Sequence, residues 1–341
     1  MQQTANPVLV EFTRGNWVEN RHRAAFCIAD SSGRIVASAG DIDHPIFPRS
    51  AIKSLQALAL FESGAAEKFD LDDRDLALAC ASHKGEPIHV EGVLRFLDKV
   101  GMSADDLECG AHVPSDAAAR KALREKGEEP SALHNNCSGK HTGMLAVAKA
   151  LGVDPKGYIE QDHAVQKLVR ACVERAVGDT MSTDRCGRDG CSIPTWASPL
   201  RGFAVGFAKL SDPNSDLPDL YKTAGQRLFD ACAQNAMLVA GTDRIDTNAM
   251  DAFKGQLMMK VGADGVFCGA LRGSHLGFAL KVDDGSVPAA EAIVAGLVAR
   301  LADASEEQKK LLAQWSHKTT KNWRGFEVGT AHLSGEFASF F

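Results

Sequence analysis

Pro48-Arg49-Ser50-Ala51-Ile52-Lys53 stands at the seam of this chain, with strand-like sequence before it and helix-like sequence after it. Pro48 stops any preceding helix and suits the first turn of a new one. Ser50 and Lys53 then lie one helical turn apart and project from the same face. Ile52, Leu55, Leu58 and Ala59 mark the apolar side of a helix expected over residues 50–63. Near the start of such a helix, free backbone N–H groups and the helix dipole favour developing negative charge. A serine hydroxyl attacks poorly until a base takes its proton. A lysine serves as that base when desolvation or a neighbouring cation lowers its pKa.

Upstream of the seam, Val8-Leu9-Val10-Glu11-Phe12 reads as a strand. Two further apolar runs, 24–29 and 34–39, flank Asp30-Ser31-Ser32-Gly33, a hairpin signal. Downstream, the spacing predicts helices over 50–63, 90–100, 115–126, 143–151, 163–177 and 220–240. The strand pattern then returns at 255–260 and 265–271 around Gly262-Ala263-Asp264, and at 276–282, before a helix over 289–302. The expected fold is therefore α/β. An antiparallel sheet is built from both chain ends (about 8–40 and 255–282), flanked by helices, with a mainly helical region over about 50–240. With no Pro/Ser/Gly linker, low-complexity tract or repeat, residues 1–341 read as one composite unit. In that arrangement Lys260 closes a strand beside the helix that carries Ser50.

Composition narrows the function. The 341 residues are 45% hydrophobic and 24% charged, which is enough for a substantial core. A formal net charge of -6 and the lack of a basic run argue against a nucleic-acid partner. No run of apolar residues is long enough for a membrane span. The start, Met1-Gln2-Gln3-Thr4-Ala5-Asn6-Pro7, lacks the basic region and apolar core of a secretory signal, so a cytoplasmic location is expected. In that reducing setting the nine cysteines point to metal binding, chemistry or burial ahead of disulfides. Cys27, Cys172, Cys232 and Cys268 sit in apolar stretches and read as core thiols.

Two more boxes follow the first. Ser82 lies in Ala81-Ser82-His83-Lys84-Gly85, and Lys260 opens Lys260-Val261-Gly262. Ser-x-x-Lys, a second serine box and Lys-x-Gly is the chain order of penicillin-binding proteins and class A β-lactamases. A lone Ser-x-x-Lys arises by chance in a chain of this length, so the order carries the weight. The second box has Ser-His-Lys where Ser-Asp-Asn is expected, and Val261 stands where threonine would. Those departures argue for a serine–lysine acyl-transfer enzyme of related fold acting on a different substrate.

A second constellation is His134-Asn135-Asn136-Cys137-Ser138-Gly139-Lys140-His141, ahead of an apolar helix, with Asp189-Gly190-Cys191-Ser192-Ile193-Pro194 downstream. Sulfur and nitrogen donors suit zinc. The spacing is not that of a zinc finger. Beside Cys137 and Cys191 it leaves His134, His141, Cys186 and Lys140 open as ligands. A buried thiol loop that shapes a pocket explains the same residues, as does a Cys137–His141 nucleophile pair.

Taken together, these boxes and Cys109-Gly110-Ala111-His112 resemble the rhizobial-type L-asparaginases, the asparaginase II family, from roughly residue 8 to residue 330. The resemblance implies hydrolysis of L-asparagine to L-aspartate and ammonia, a fold like serine β-lactamases and glutaminases, and a homodimer. It implies two tandems, Ser50 with Lys53 and Ser82 with Lys260. It also implies a zinc site at Cys137, Lys140 and Cys191, and substrate contacts at Arg49, His141 and Asp189. The chemistry agrees: Arg49 can hold a carboxylate, Asp189 an ammonium, and Ser50 can attack the side-chain amide with Lys53 as base. Two alternatives share these residues. One is a glutaminase or other amidohydrolase on the same scaffold. The other is a non-catalytic, zinc-stabilised amino-acid-binding protein, although binding alone needs no activated serine.

Overall fold

Apolar strands from the two chain ends cannot bury their faces separately, and here they close on each other. The computed structural model describes residues 5–341, so the first four residues of the stretch read above as lacking a secretory signal lie outside it. The strands of the main sheet are β1 (Val8–Arg14), β2 (Trp17–Ala29), β3 (Ile35–Ala39), β4 (Leu257–Gly262), β5 (Val266–Leu271), β6 (Leu276–Val282), β7 (His317–Lys321) and β8 (Glu327–Leu333). They form an eight-stranded sheet in the order β7-β8-β1-β2-β6-β5-β4, with β3 paired to β2. Every pairing in it is antiparallel. The join between chain ends is β2 with β6, where Phe26 faces Leu280 and Ala24 faces Val282. This is the α/β, antiparallel, both-ends architecture expected from the sequence.

The sheet is wider than expected, because β7 and β8 add a C-terminal hairpin. Its sequence, His317-Lys318-Thr319-Thr320-Lys321, is mostly exposed and carries no apolar alternation to read. By contrast, all residues of β4 and β5 are buried. Strand side chains alternate between faces, so both faces are covered there. The covering helices include Leu200–Ser211, which packs on β2, β5 and β6, and Val287–Leu301, which packs on β5, β6 and β8. Contact with the first is close: a Cβ on Gly277 of β6 would stand 2.0 Å from the Ala204 carbonyl oxygen.

The segment expected as one helix over 50–63 is broken. A 3-10 turn, Arg49–Ile52, leads into short helices Lys53–Gln56 and Leu58–Glu62. Arg49 is left-handed (φ 52), and Ile52 (φ -105, ψ 21) leaves the helical region between turn and helix. The helix expected over 220–240 also divides, at Asn235 (φ -124, ψ 44). The helix expected from 143 begins at Ser138, which puts Lys140 and His141 on its first turn and not in a loop. Helices Asp73–Ala79, Leu200–Ser211, Ile245–Phe253 and Glu306–Ser316 were not expected. All nine cysteines are free thiols, and Cys27, Cys172, Cys232 and Cys268 are buried as anticipated. Among the described residues no helix is long and apolar enough to cross a membrane.

Candidate active site

Strand β4 ends against the turn that carries Ser50. A Cβ on Gly262 would lie 2.7 Å from the Pro48 carbonyl oxygen and 3.0 Å from the Ala51 nitrogen. The glycine of Lys-x-Gly is thus what lets the strand reach the serine turn. Lys260 lies on this strand, beside the serine turn as the sequence predicted. Pro48 precedes the turn, and its carbonyl accepts the Ala51 N–H at 3.1 Å. Ser50 is half-buried, and no group among the described residues bonds its hydroxyl.

Ser50 and Ser82 line one pocket of ≈ 250 Å³, with His83, His112, Asn136 and Arg244 among its walls. Lys53 is fully buried, and its Nζ donates to Ser82 Oγ at 3.0 Å and also to the Ala81 carbonyl. Burial lowers its pKa, the neighbouring Lys140 pushes the same way, and Cys137 opposes. The amine is therefore shifted toward its neutral, proton-accepting form. Ser82 is itself fixed, since its N–H donates to the Val239 carbonyl at 2.9 Å. Lys260 is also buried, and burial pushes its pKa down to about 7. Its Nζ donates to the Val261 carbonyl at 2.7 Å. The hydrogen bond between the two boxes thus runs from Lys53 to Ser82, and none joins Lys53 to Ser50 or Lys260 to Ser82.

Behind Lys53 the sulfur constellation converges. Cys137 Sγ lies 3.1 Å from Lys53 Nζ, and Lys140 Nζ lies 2.9 Å from Cys191 Sγ. Cys137 and Cys191 also bond each other, so one thiol gives up its proton easily and the other holds it. The shared bond draws Cys137 well down and pushes Cys191 up. Lys140 is raised, because the two sulfurs outweigh its burial. Among the described residues no three His, Cys, Asp or Glu side chains gather for a metal. The donor set here is two sulfurs and a lysine nitrogen, which suits zinc once that amine is neutral.

His141 is fully buried on the same helix. The Tyr158 hydroxyl accepts the Glu108 N–H at 3.0 Å and shares a hydrogen bond of 2.6 Å with His141 Nδ1. The other ring nitrogen, Nε2, is buried and has no hydrogen-bond partner. Burial, followed by the charges of Lys140 and Lys53, holds the imidazole neutral. Arg49 is engaged: its Nε donates to Asp189 Oδ1 at 2.7 Å and its Nη1 to Asp264. Asp189 is half held by the Gly190 N–H at 2.9 Å. Burial raises its pKa, but Lys140 and Arg49 more than offset this and keep it an anion.

The expected residues therefore split between spaces. Arg49 lines a separate cleft of ≈ 780 Å³, and Lys53 and Lys140 line a void of ≈ 20 Å³ behind the serines. Lys260, His141, Asp189, Cys137 and Cys191 line none of these three spaces. Tyr158 and Arg244 were not foreseen, since neither sits in a motif. Tyr158 is one of two tyrosines in the chain and is fully buried, and no sequence pattern marks it.

Comparison with known proteins gives the family. Among solved structures, the native form of Mglu shares 16% identity at a TM-score of 0.43, with 83% of this chain and 66% of that one, just under two thirds, covered. A β-lactamase from Mycobacterium bovis shares 14% identity at a TM-score of 0.35, covering 81% of this chain and 94% of its own. Simvastatin synthase from Aspergillus terreus shares 12% identity at a TM-score of 0.34, covering 76% and 86%. No curated protein matches the chain. The L-asparaginase II family profile matches residues 10–333, nearly the whole chain and both serine boxes with it, and the chain belongs to that family.

Proposed function

We propose that the protein hydrolyses L-asparagine to L-aspartate and ammonia through an acyl-enzyme on serine. The observation that carries this reading is the buried Lys53 amine 3.0 Å from the Oγ of Ser82, a residue that lines one pocket with Ser50. Family membership supports an asparaginase-like amidohydrolase. Ser50 Oγ attacks the side-chain amide carbon, and its proton passes through Ser82 to neutral Lys53. That proton then goes to the amide nitrogen, the C–N bond breaks, and ammonia leaves. Water attacks the resulting ester, Lys53 again takes the proton, and aspartate departs with Ser50 restored. Lys260, poised near neutrality by burial, exchanges protons with this pair. Asp189, held ionised by Lys140 and Arg49, is the anion proposed to receive the substrate ammonium; neither it nor His141 lines the pocket that Ser50 and Ser82 share, so this contact requires the pocket to open towards them.

One observation favours a variant in which Ser82 is the nucleophile, because Lys53 bonds that hydroxyl directly. Mass spectrometry of protein quenched during turnover, or treated with a reactive amide analogue, separates the two. In the first reading Ser82→Ala is still acylated, slowly, on Ser50, whereas Ser50→Ala is not acylated. The opposite pattern assigns the attack to Ser82.

Zinc belongs to the same proposal, held by Cys137, Cys191 and a neutral Lys140. Two thiolates neutralise most of its charge, so it supplies rigidity and local field to the pocket more than Lewis acidity. A homodimer acting in the cytoplasm completes the reading. The nine free thiols suit a reducing compartment, and sedimentation measures the assembly.

A further inference from the structure

An amino-acid amide brings a carboxylate into the serine pocket, and something there must meet it. Arg49 is spent on Asp189 and Asp264, and it opens onto a different cleft. Among the residues lining the serine pocket, Arg244 is the one permanent cation, and no Asp or Glu lines it. Arg244 makes no side-chain hydrogen bond or ion pair among the described residues, and its Nε is buried with no acceptor. Glu291 and Lys260 feel its charge, but neither bonds it. A buried guanidinium N–H without an acceptor is costly, and no protein group pairs with this guanidinium, which leaves it available to a carboxylate in the pocket it lines.

The loop before Arg244 is built to hold it there. Gly241 (φ 95) supplies a turn open to glycine, and Asp243 (φ 55) is left-handed, a conformation that a non-glycine residue keeps where the surroundings enforce it. Those surroundings are visible. Thr242 donates its N–H to Glu86 at 3.0 Å and its hydroxyl to the same oxygen at 2.7 Å. Lys84 Nζ bonds the Thr242 carbonyl at 3.1 Å, and Thr247 Oγ1 bonds the Gly241 carbonyl at 2.6 Å. Arg244 then caps the helix Ile245–Phe253 in an extended conformation (φ -114, ψ 144).

We propose that Arg244 is a substrate-binding residue that grips the α-carboxylate of the amide substrate in the pocket shared by Ser50 and Ser82. This rests on the amidohydrolase reading above and names the residue that selects amino-acid amides over simple amides. Arg49 on this account stays with Asp189 and does not leave it for the carboxylate. A guanidinium presents two parallel N–H donors to a carboxylate, which fixes the substrate's orientation as well as holding it.

The test compares L-asparagine with 3-aminopropanamide, which is asparagine without its carboxylate, in wild type, Arg244→Gln, Arg244→Lys and Arg49→Gln. Because the readout is the ratio of kcat/KM values within each variant, partial misfolding cancels. Arg244→Gln is expected to lower kcat/KM for asparagine on the order of 100-fold, mostly through KM, and to leave 3-aminopropanamide unchanged. Arg244→Lys is expected to recover part of the loss, since it keeps charge without the fork. Equal losses on both amides, no loss on asparagine, or collapse of the ratio in Arg49→Gln alone would each overturn the assignment. Calorimetry with L-aspartate separates carboxylate binding from amide turnover. If wild type turns over neither amide, the amidohydrolase reading fails. The Arg244 assignment then still stands if aspartate binds wild type and is weakened on the order of 100-fold by Arg244→Gln. It falls if the two proteins bind aspartate alike or wild type does not bind it.

Discussion

Burying Lys53 beside Ser82 strips an ammonium of its water, and that cost shifts the amine toward the neutral form that the proposed base role needs. Lys53→Met is therefore expected to lower kcat by on the order of 1000-fold, while the melting temperature holds or rises because an apolar chain replaces a buried amine. Steady-state rates and thermal denaturation check the two halves separately. Lys260 carries a pH signature. Its folded pKa of about 7 lies below the ordinary 10.5. The neutral amine is then lost as pH falls through 7, and kcat/KM is expected to fall on that acid limb. Between about 7 and 10.5 the unfolded chain binds more protons than the folded one, so stability rises with pH over that window. Lys260→Met removes this dependence, and its stability advantage over wild type is expected to be largest below pH 7 and to vanish near 10.5. Denaturant titrations at several pH values measure it. The order and spacing of the boxes singled out Ser50, Lys53, Ser82 and Lys260, and the structure brings Ser50 and Ser82 to one pocket with Lys53 bonded to Ser82. Which serine meets which lysine was not legible, because that depends on how a broken turn aims Ser50. Arg244 was silent, being a single arginine between Asp243 and Ile245 with no periodicity or spacing to mark it.

At the level of elements, two glycines set the distances that matter. Gly262→Ala would push β4 from the Pro48–Ala51 turn, moving Ser50 relative to Lys260. Activity is expected to fall at least 100-fold, the scale of a misplaced reacting group, while the far-ultraviolet circular dichroism stays native. Gly277→Ala is the control far from the serines. It drives a Cβ into the Ala204 carbonyl and is expected to destabilise by roughly 1–3 kcal/mol, read from denaturant midpoints, with kcat preserved in the folded fraction. The central strands were legible because runs such as 266–271 and 276–282 are apolar and bounded by turn residues. The hairpin of β7 and β8 was not, because its stability comes from pairing with β1 and not from an apolar face of its own. The 50–63 segment misled for a related reason. Its apolar spacing is helical, but the left-handed Arg49 and the irregular Ile52 are imposed by packing against β4, which local sequence does not record.

Across the whole molecule, the site exists only because distant segments are brought together. The Ser50 turn, Ser82, Arg244 and β4 meet once β2 and β6 have joined the chain ends. Cys137 and Lys140, on and beside the helix Ser138–Leu151, meet Cys191 from a separate loop in the same way. A zinc ion there would tie the two, so saturating zinc is expected to raise the melting temperature, by about 2.7 kcal/mol of stability at 100 times Kd. Cys191→Ser is expected to abolish that gain, and chelation to raise KM more than it lowers kcat. The most direct test of the account is ammonia release from L-asparagine, beside L-glutamine, by wild type and Lys53→Met at equal folded concentration. Release from asparagine, slower or absent release from glutamine, and near-complete loss in the variant are expected. Folded, zinc-loaded wild type that releases no ammonia, or a Lys53→Met protein that works as fast as wild type, would contradict it.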